Sequence, residues 1–335
     1  MGGVNRMAER PRVGVIGAGI AGLTVARSLQ TIADVIVFEK GRGFGGRMAT
    51  RRIDGVSFDH GAQYFTVRDQ DFRKEMDQAC GVGLVKPWTG DVVSLSVGGP
   101  ARHVVPSMTR YVAVPSMTAL PKAMAEGLDI RLASRVAEIG GEPGRWLIHS
   151  GELVEGPFDW IVATAPAPQS AVLLPASFSH HETLREVGMH ACFTLMIKRN
   201  SRVREPFAAA HVSDPVIGWI AYNDSKPART KPASLVVNSN GVWADANVDV
   251  PFDAVRKQMI EASKRHIPIE ASEAESAVLH RWRYADVHNP ARQSFLLDRD
   301  TQLAACGDWC IAGRVEAAYV SGLALADALN GIVGQ

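Results

Sequence analysis

An α/β protein of two domains is what this sequence predicts, and three observations predict it. A short β-branched run, Arg12 to Ile16, leads into a glycine-spaced turn and a helical pattern. Near the other end, "LAACGDWCIAGRVEAAYVSGLALADAL" sets a strand, a loop and a second helix in succession. Between them lie apolar runs of strand length, broken by Gly, Pro or charge. At 335 residues and 46% hydrophobic composition, the chain can bury cores for about two domains.

The first element is read residue by residue. Gly17, Gly19 and Gly22 take G-x-G-x-x-G spacing after the strand, Ile20 to Gln30 reads as a helix, and Asp34 to Phe38 as a second strand. This is a Rossmann-like βαβ unit. Gly17 permits the tight turn, Gly19 lets amides approach a pyrophosphate, and Gly22 lets helix pack on strand. Ala18, Ile20 and Ala21 complete the turn at a helix N-terminus, whose partial positive charge suits phosphate. Glu39 closes the second strand 22 residues after Gly17. A carboxylate there accepts ribose hydroxyls and repels a 2′-phosphate, with Lys40 beside it.

The bulk numbers exclude several classes of function. The 36 basic residues nearly cancel 35 acidic ones, so nothing argues for nucleic acid or an anionic membrane surface as partner. Four cysteines in a chain this long make no disulfide framework, and no signal-peptide pattern or membrane-length apolar run occurs. The expected location is a reducing cytoplasm. Residues 1–10 read as a disordered lead-in, with Met7 an alternative start. Arg6 stands where a myristoylation signal carries Ser or Thr.

After Glu39 the sequence runs "KGRGFGGRMAT". Gly45, Gly46 and Arg47 stand six, seven and eight residues past the acid, followed by Met48. A nicotinamide site has no need of a second glycine turn and a guanidinium. The stretch resembles the flavin-dependent amine oxidase superfamily, whose members carry Gly-Gly-Arg at this distance from the ribose acid. The resemblance implies FAD as cofactor, with Arg47 as the planar donor fork at its pyrophosphate or flavin edge. It also makes the C-terminal stretch the closing FAD motif. There Gly307 and Asp308 hold the ribityl or phosphate region, and a helix from about Glu316 to Leu329 directs the amides of Ala317 and Ala318, and Ser321, toward the cofactor. It further places Val136 at the adenine, Thr164 and Pro166 at a strand end near the cofactor, and Gly61 and Ala62 on the cofactor side.

Cys306 and Cys310 lack C-x-x-C spacing, and no Ser-Gly-Gly-Cys-Tyr attachment sequence occurs, so non-covalent FAD is expected. A helix after Ser116 and a strand over Ile130 to Ile139 complete the nucleotide side. The implied architecture is that of amine oxidases and p-hydroxybenzoate hydroxylase: residues 11–68, 113–172 and 284–335 form a discontinuous FAD-binding domain. Residues 69–112 and 173–283 form a substrate domain with a curved antiparallel sheet, including Phe193 to Ile197, Ile217 to Ala221 and Leu235 to Asn238.

Three further strings, "SFDHGAQYFTVRD", "GWIAYNDSKPAR" and "HRWRYA", look in this order like the bacterial renalases, which belong to the same superfamily. That resemblance implies oxidation of misreduced 2- and 6-dihydro-NAD(P), with O2 as electron acceptor and H2O2 as product. His60, Gln63 and Tyr64 are expected to line the flavin, although His60 equally fits a hydrogen-bonded structural role. Trp219 and Trp282 either stack on a nicotinamide ring or fill the core. Arg281 and Arg283 flank Trp282 on one face of a probable strand, there to grip a substrate diphosphate or to pair with carboxylates. Amine oxidases place a lysine near the flavin at the start of the strand that corresponds to "MHACFTLMIK"; here that strand starts Met189, His190, Ala191, Cys192, without it. That favours a hydride acceptor over an amine oxidase. An amine oxidase, a small desaturase and a non-catalytic flavoprotein redox sensor remain as alternatives. The expected partners are a dihydronicotinamide dinucleotide and O2, with no metal, in a monomer or weak dimer.

Overall fold

A computed structural model describes residues 10–200, 206–229 and 232–333. The expected lead-in up to residue 9, with Met7, lies outside the described residues.

The β-branched run Arg12–Ile16 becomes a strand whose last four residues are buried. It pairs in parallel with Asp34–Phe38 on one side and Trp160–Ala163 on the other, and the sheet continues to Asp129–Arg131 and Leu303–Ala305. Leu296–Asp298 adds an antiparallel edge. Register places Ile16 beside both Phe38 and Ala163, and Ala163 beside Ala305. The loops after these four strands therefore open at one end of the sheet, where open α/β sheets bind their ligands. The helix Ile20–Leu29 packs against the C-terminal helix Val315–Val333 so closely that a Cβ on Gly322 would sit 2.6 Å from the Ala21 carbonyl oxygen.

A second sheet of seven strands runs in the order Val278–Asn289, Gly188–Lys198, Ser234–Ser239, Ile217–Tyr222, Ala209–Ser213, Val92–Ser96 and Arg102–His103. It is antiparallel except between Ala209–Ser213 and Val92–Ser96, which run parallel. Register shifts between Gly188 and Met189, and between His190 and Cys192, interrupt the first pairing just where that strand reaches the first domain. Such bulges bend a strand and re-aim its side chains.

The structure departs from the sequence reading in three places. The expected strand from Ile130 to Ile139 is two strands, Asp129–Arg131 and Glu138–Glu142, the second belonging to a separate three-stranded antiparallel sheet. The helix Gln70–Gly81, assigned to the substrate domain, buries Phe72 and Met76 in the core shared with the Rossmann-like helices. Its amphipathic face carried no sign of which core it would join. The boundary at 283/284 falls inside the continuous strand Val278–Asn289, so this strand carries one end into each domain. Among the described residues no helix is long and apolar enough to cross a membrane.

Candidate active site

The parallel-strand ends and one end of the second sheet enclose a cavity of about 1410 Å³. Ordinary ligand pockets hold about 300–1,000 Å³. This one has room for a large cofactor and a second molecule.

At the Rossmann-like end, Gly17 has φ +114°, a conformation L side chains avoid, and a Cβ on Gly22 would lie 2.0 Å from the Gly17 oxygen. The turn and the helix start therefore tolerate no side chain at either position. In front of Gly19 the space is open, with no atom within 4 Å of a built Cβ. Glu39 is buried; its Oε2 accepts from the Ala18 amide at 2.9 Å and its Oε1 from the Gly41 amide at 2.6 Å. Thr164 Oγ1 donates to the Ile16 carbonyl at 2.9 Å, tying the neighbouring strand end to the turn. Lys40 reaches Gln169 at 3.1 Å across the rim.

The second glycine turn brings Arg47 to the C-terminal motif. Its Nη1 and Nη2 donate to the two carboxylate oxygens of Asp308 at 2.8 and 2.5 Å. Gly61 packs on the Arg47 backbone, where a Cβ would stand 1.9 Å from the carbonyl oxygen, and the Ala62 amide donates to that oxygen at 2.8 Å. Glu316, in the first turn of the C-terminal helix, accepts from the amides of Arg68 and Asp69, the latter at 2.7 Å. An open phosphate-sized turn, a carboxylate at the second strand end, a guanidinium and a helix N-terminus all face one space. A dinucleotide fits these residues.

Under the second sheet the wall changes character. Cys192, Asn238, His280 and Trp282 line it, and burial pushes the Cys192 thiol up. Trp282 Nε1 donates to the His60 carbonyl at 2.9 Å, and its ring lies 5.0 Å from that of His60 and 4.5 Å from that of His280. Burial lowers both histidines to about 4, helped at His60 by His280 and Arg51 and at His280 by Arg51. Both rings are neutral at neutral pH. Asp286 also faces the cavity, its carboxyl pushed up by burial and by the charge of Asp308.

Behind this wall lies a buried charge cluster. Gln63 donates to the carbonyls of Asp59 and Gly61 at 2.6 and 3.0 Å and accepts from Lys226 Nζ at 3.1 Å. Asp59 Oδ2 takes the Lys226 ammonium at 3.3 Å and the Arg229 guanidinium at 2.7 Å, all three side chains almost fully buried. Burial pushes Asp59 upward, but Lys226 and Arg229, with hydrogen bonds from the Met117 amide and the Thr50 hydroxyl, together hold the carboxyl at about 2. Burial lowers Lys226 to about 8, opposed by Asp59. The amide of Gln63 is thus locked, and with it the loop that presents Gly61 and Ala62.

Of the residues singled out from sequence, the structure withdraws six from the cavity wall. Ala18 is fully buried, Gly22 is spent on helix packing, and Ala317 is in the core. Ser321 accepts from the Gly307 amide at 3.1 Å and donates to the Ser294 carbonyl at 2.6 Å, so it supports the motif from behind. His60 is buried behind Trp282, and Trp219 joins the core beside Tyr64, at 5.9 Å, and His211. Ile20, Ala21, Met48, Val136, Pro166 and Tyr64 line the cavity with the residues already placed. Arg281 and Arg283 line it too, but Arg281 donates to the Val248 carbonyl and Arg283 pairs with Asp249 at 2.8 Å. The sequence reading missed His280, Asn238 and the Asp59–Lys226–Arg229 cluster. The strings "HRWRYA" and "NDSKPAR" held His280, Lys226 and Arg229, but nothing local marks a buried partner.

Comparison with known proteins agrees with this geometry. Residues 15–78 match an NAD(P)-binding Rossmann-like domain, and residues 89–330 match the flavin containing amine oxidoreductase family. Mouse renalase is 23% identical over 305 residues, covering 82% of this chain and 85% of that protein. An Exiguobacterium structure assigned as a protoporphyrinogen oxidase superposes with TM-score 0.75 at 15% identity, covering 95% of this chain and 98% of that one. A triple mutant of putrescine oxidase gives TM-score 0.68 at 12% identity, over 96% and 99%. The chain belongs to the flavin containing amine oxidoreductase family, and FAD is its cofactor, which the glycine turns, Glu39 and Arg47 would hold.

Proposed function

We propose that this protein oxidises misreduced dihydronicotinamide dinucleotides, the 2- and 6-dihydro isomers of NAD(P), and passes the electrons to O2. For each turnover the isomer, one proton and O2 give NAD(P)+ and H2O2. FAD, when bound, supplies the two-electron acceptor.

The observation that carries the reading is the wall beneath the second sheet. Among the described residues lining the cavity, Lys40 is the one lysine, and it sits at the nucleotide end, tied to Gln169. Where amine oxidases carry a lysine, this strand presents His190, Ala191 and Cys192. His190 is paired to Asp245 at 2.5 Å. A dihydronicotinamide giving up hydride needs no general base; what it needs is its reactive carbon held roughly 3 to 3.5 Å from the acceptor. Trp282 and neutral His280, their rings set edge to face 4.5 Å apart, give such a ring an aromatic wall, and the locked Gln63 loop backs that wall through the His60 carbonyl. The match to renalase supports the same reading.

Anaerobic rapid mixing tests it. Bleaching of the flavin by a 2- or 6-dihydro isomer should be far faster than by NADH, benzylamine or a polyamine, and O2 should restore the colour with release of peroxide. Faster bleaching by either amine would replace this reading with an amine oxidase. A flavin left oxidised by every donor would make the protein a sensor.

A further inference from the structure

The segment from Gln63 to Arg68 is extended and alternates. Phe65 and Val67 are 3% and 4% exposed in the core, Phe65 also touching the cavity, while Tyr64, Thr66 and Arg68 line it. Two backbone hydrogen bonds between Phe65 and Tyr111, at 2.9 and 2.8 Å, and the grip of Glu316 on the amides of Arg68 and Asp69 hold it rigid. The same three side chains also line a second concavity of about 220 Å³, closed by the loop 104–108, Arg110 and His211. The two spaces share these three side chains, so Arg110, over the Tyr64 ring, stands just beyond the edge of the flavin cavity.

This shared edge carries positive charge. The Arg110 guanidinium lies 5.5 Å over the Tyr64 ring, and among the described residues it has no carboxylate partner. Arg68 donates to Thr66 Oγ1 at 2.7 Å, and Glu316, its nearest carboxylate at 3.9 Å, is already held by two amides. His211 stands beside them, 4.7 Å from the Trp219 ring. Arg281 and Arg283, which also line the flavin cavity, are engaged with Val248 and Asp249.

We infer that Arg68 and Arg110 bind the diphosphate of the dinucleotide substrate, which lies along Tyr64 with its nicotinamide ring in the flavin cavity. This rests on the function proposed above. A guanidinium with free donors can take two phosphate oxygens at once, and a cation stacked on an aromatic ring is pre-positioned to do so. The inference assigns substrate affinity, not ring chemistry, to this pair.

ADP-ribose, which carries the diphosphate but no reactive ring, is the probe. Titrated calorimetrically into the holoenzyme, it should bind, and Arg110→Gln and Arg68→Gln should each weaken it about tenfold or more, with FAD content and Tm unchanged. In anaerobic reduction the same variants should raise the Kd of the 6-dihydro dinucleotide similarly and leave an N-methyl dihydronicotinamide unaffected. No ADP-ribose binding, equal binding by the variants, or an equal loss in Arg283→Gln would overturn the inference. If ADP-ribose behaves as expected but no dihydro isomer bleaches the flavin, the subsite stands and the proposed reaction falls.

Discussion

Arg47 and Asp308, 261 residues apart, meet through two parallel hydrogen bonds of 2.8 and 2.5 Å. The bond closes the fold's two terminal segments around the cofactor space, and Arg47 Nη1 also donates to the Ala285 carbonyl at 3.2 Å, on the strand that passes between domains. Arg47→Lys keeps the charge but cannot reproduce the fork. One lost charged hydrogen bond is worth about 1.5–3 kcal/mol. FAD affinity should therefore fall about tenfold to a hundredfold, read by fluorescence of released flavin, with Asp308→Asn weakening it in the same direction. Unchanged FAD dissociation in both variants would detach this pair from cofactor binding.

Glu39 anchors backbone besides facing the expected ribose. Both of its oxygens already accept backbone amides, of Ala18 and Gly41. In Glu39→Gln one of those positions holds an NH2 group that faces an N–H, so the first glycine turn loses an anchor as well as the ribose an acceptor. The expected loss is about 2 kcal/mol in FAD binding, within the range for hydrogen bonds to a charged group, together with a lower Tm of the apoprotein. A weaker Kd at constant apoprotein Tm would confine Glu39 to the ribose.

The flavin should come off intact. Cys306 and Cys310 are fully buried and absent from the cavity lining, and the thiol of Cys192 is hydrogen-bonded to the Phe193 carbonyl at 3.4 Å. Acid precipitation should leave all colour in the supernatant. A yellow pellet would show covalent attachment.

The legible parts of this protein were those whose physics is local. The glycine spacing, Glu39 and the Gly-Gly-Arg turn announced themselves because each residue's task is set by its own backbone or by a neighbour within one βαβ unit. Arg47 was legible but its partner was not, since nothing in "CGDW" says which guanidinium Asp308 will meet. Asp59, Lys226 and Arg229 look like surface charges in sequence; only the fold, bringing positions 59 and 229 within 2.7 Å, makes them a buried cluster. Trp219 and Trp282 have the same composition-level signal, yet one ends in the core and the other on the cavity wall. Arg281 and Arg283 were placed on the right strand, but hydrogen bonds to the segment at 248–249 engage them first.

The buried cluster should dominate stability near the site. Removing one member of a buried ion pair costs about 3–5 kcal/mol, because the charge left behind is uncompensated. Lys226→Met leaves Asp59 with Arg229 and should fall at the low end of that range. Asp59→Asn strands two buried cations and should cost more. Urea unfolding of the two variants checks the order. Equal or reversed losses would show that Lys226, not Asp59, is the centre of the cluster.

Acid should loosen the substrate wall before it reaches the cluster. His60 and His280 titrate at about 4 in the folded chain against an ordinary 6.5, because burial disfavours the imidazolium and each lies near the other and Arg51. Between those two values the unfolded chain holds more protons than the folded one, so stability falls as pH drops from 6.5 toward 4, and is fully present above 6.5. Asp59, held at about 2 against an ordinary 3.8, adds its own loss only below that window. Tm measured from pH 7.5 down to 4.5 should therefore decline most steeply across the histidine interval. His280→Gln removes one of the two titrations and relieves His60 of a like-charged neighbour, so its decline should be clearly shallower. A variant curve parallel to the wild type would remove His280 from the acid response and leave the carboxylates to account for it.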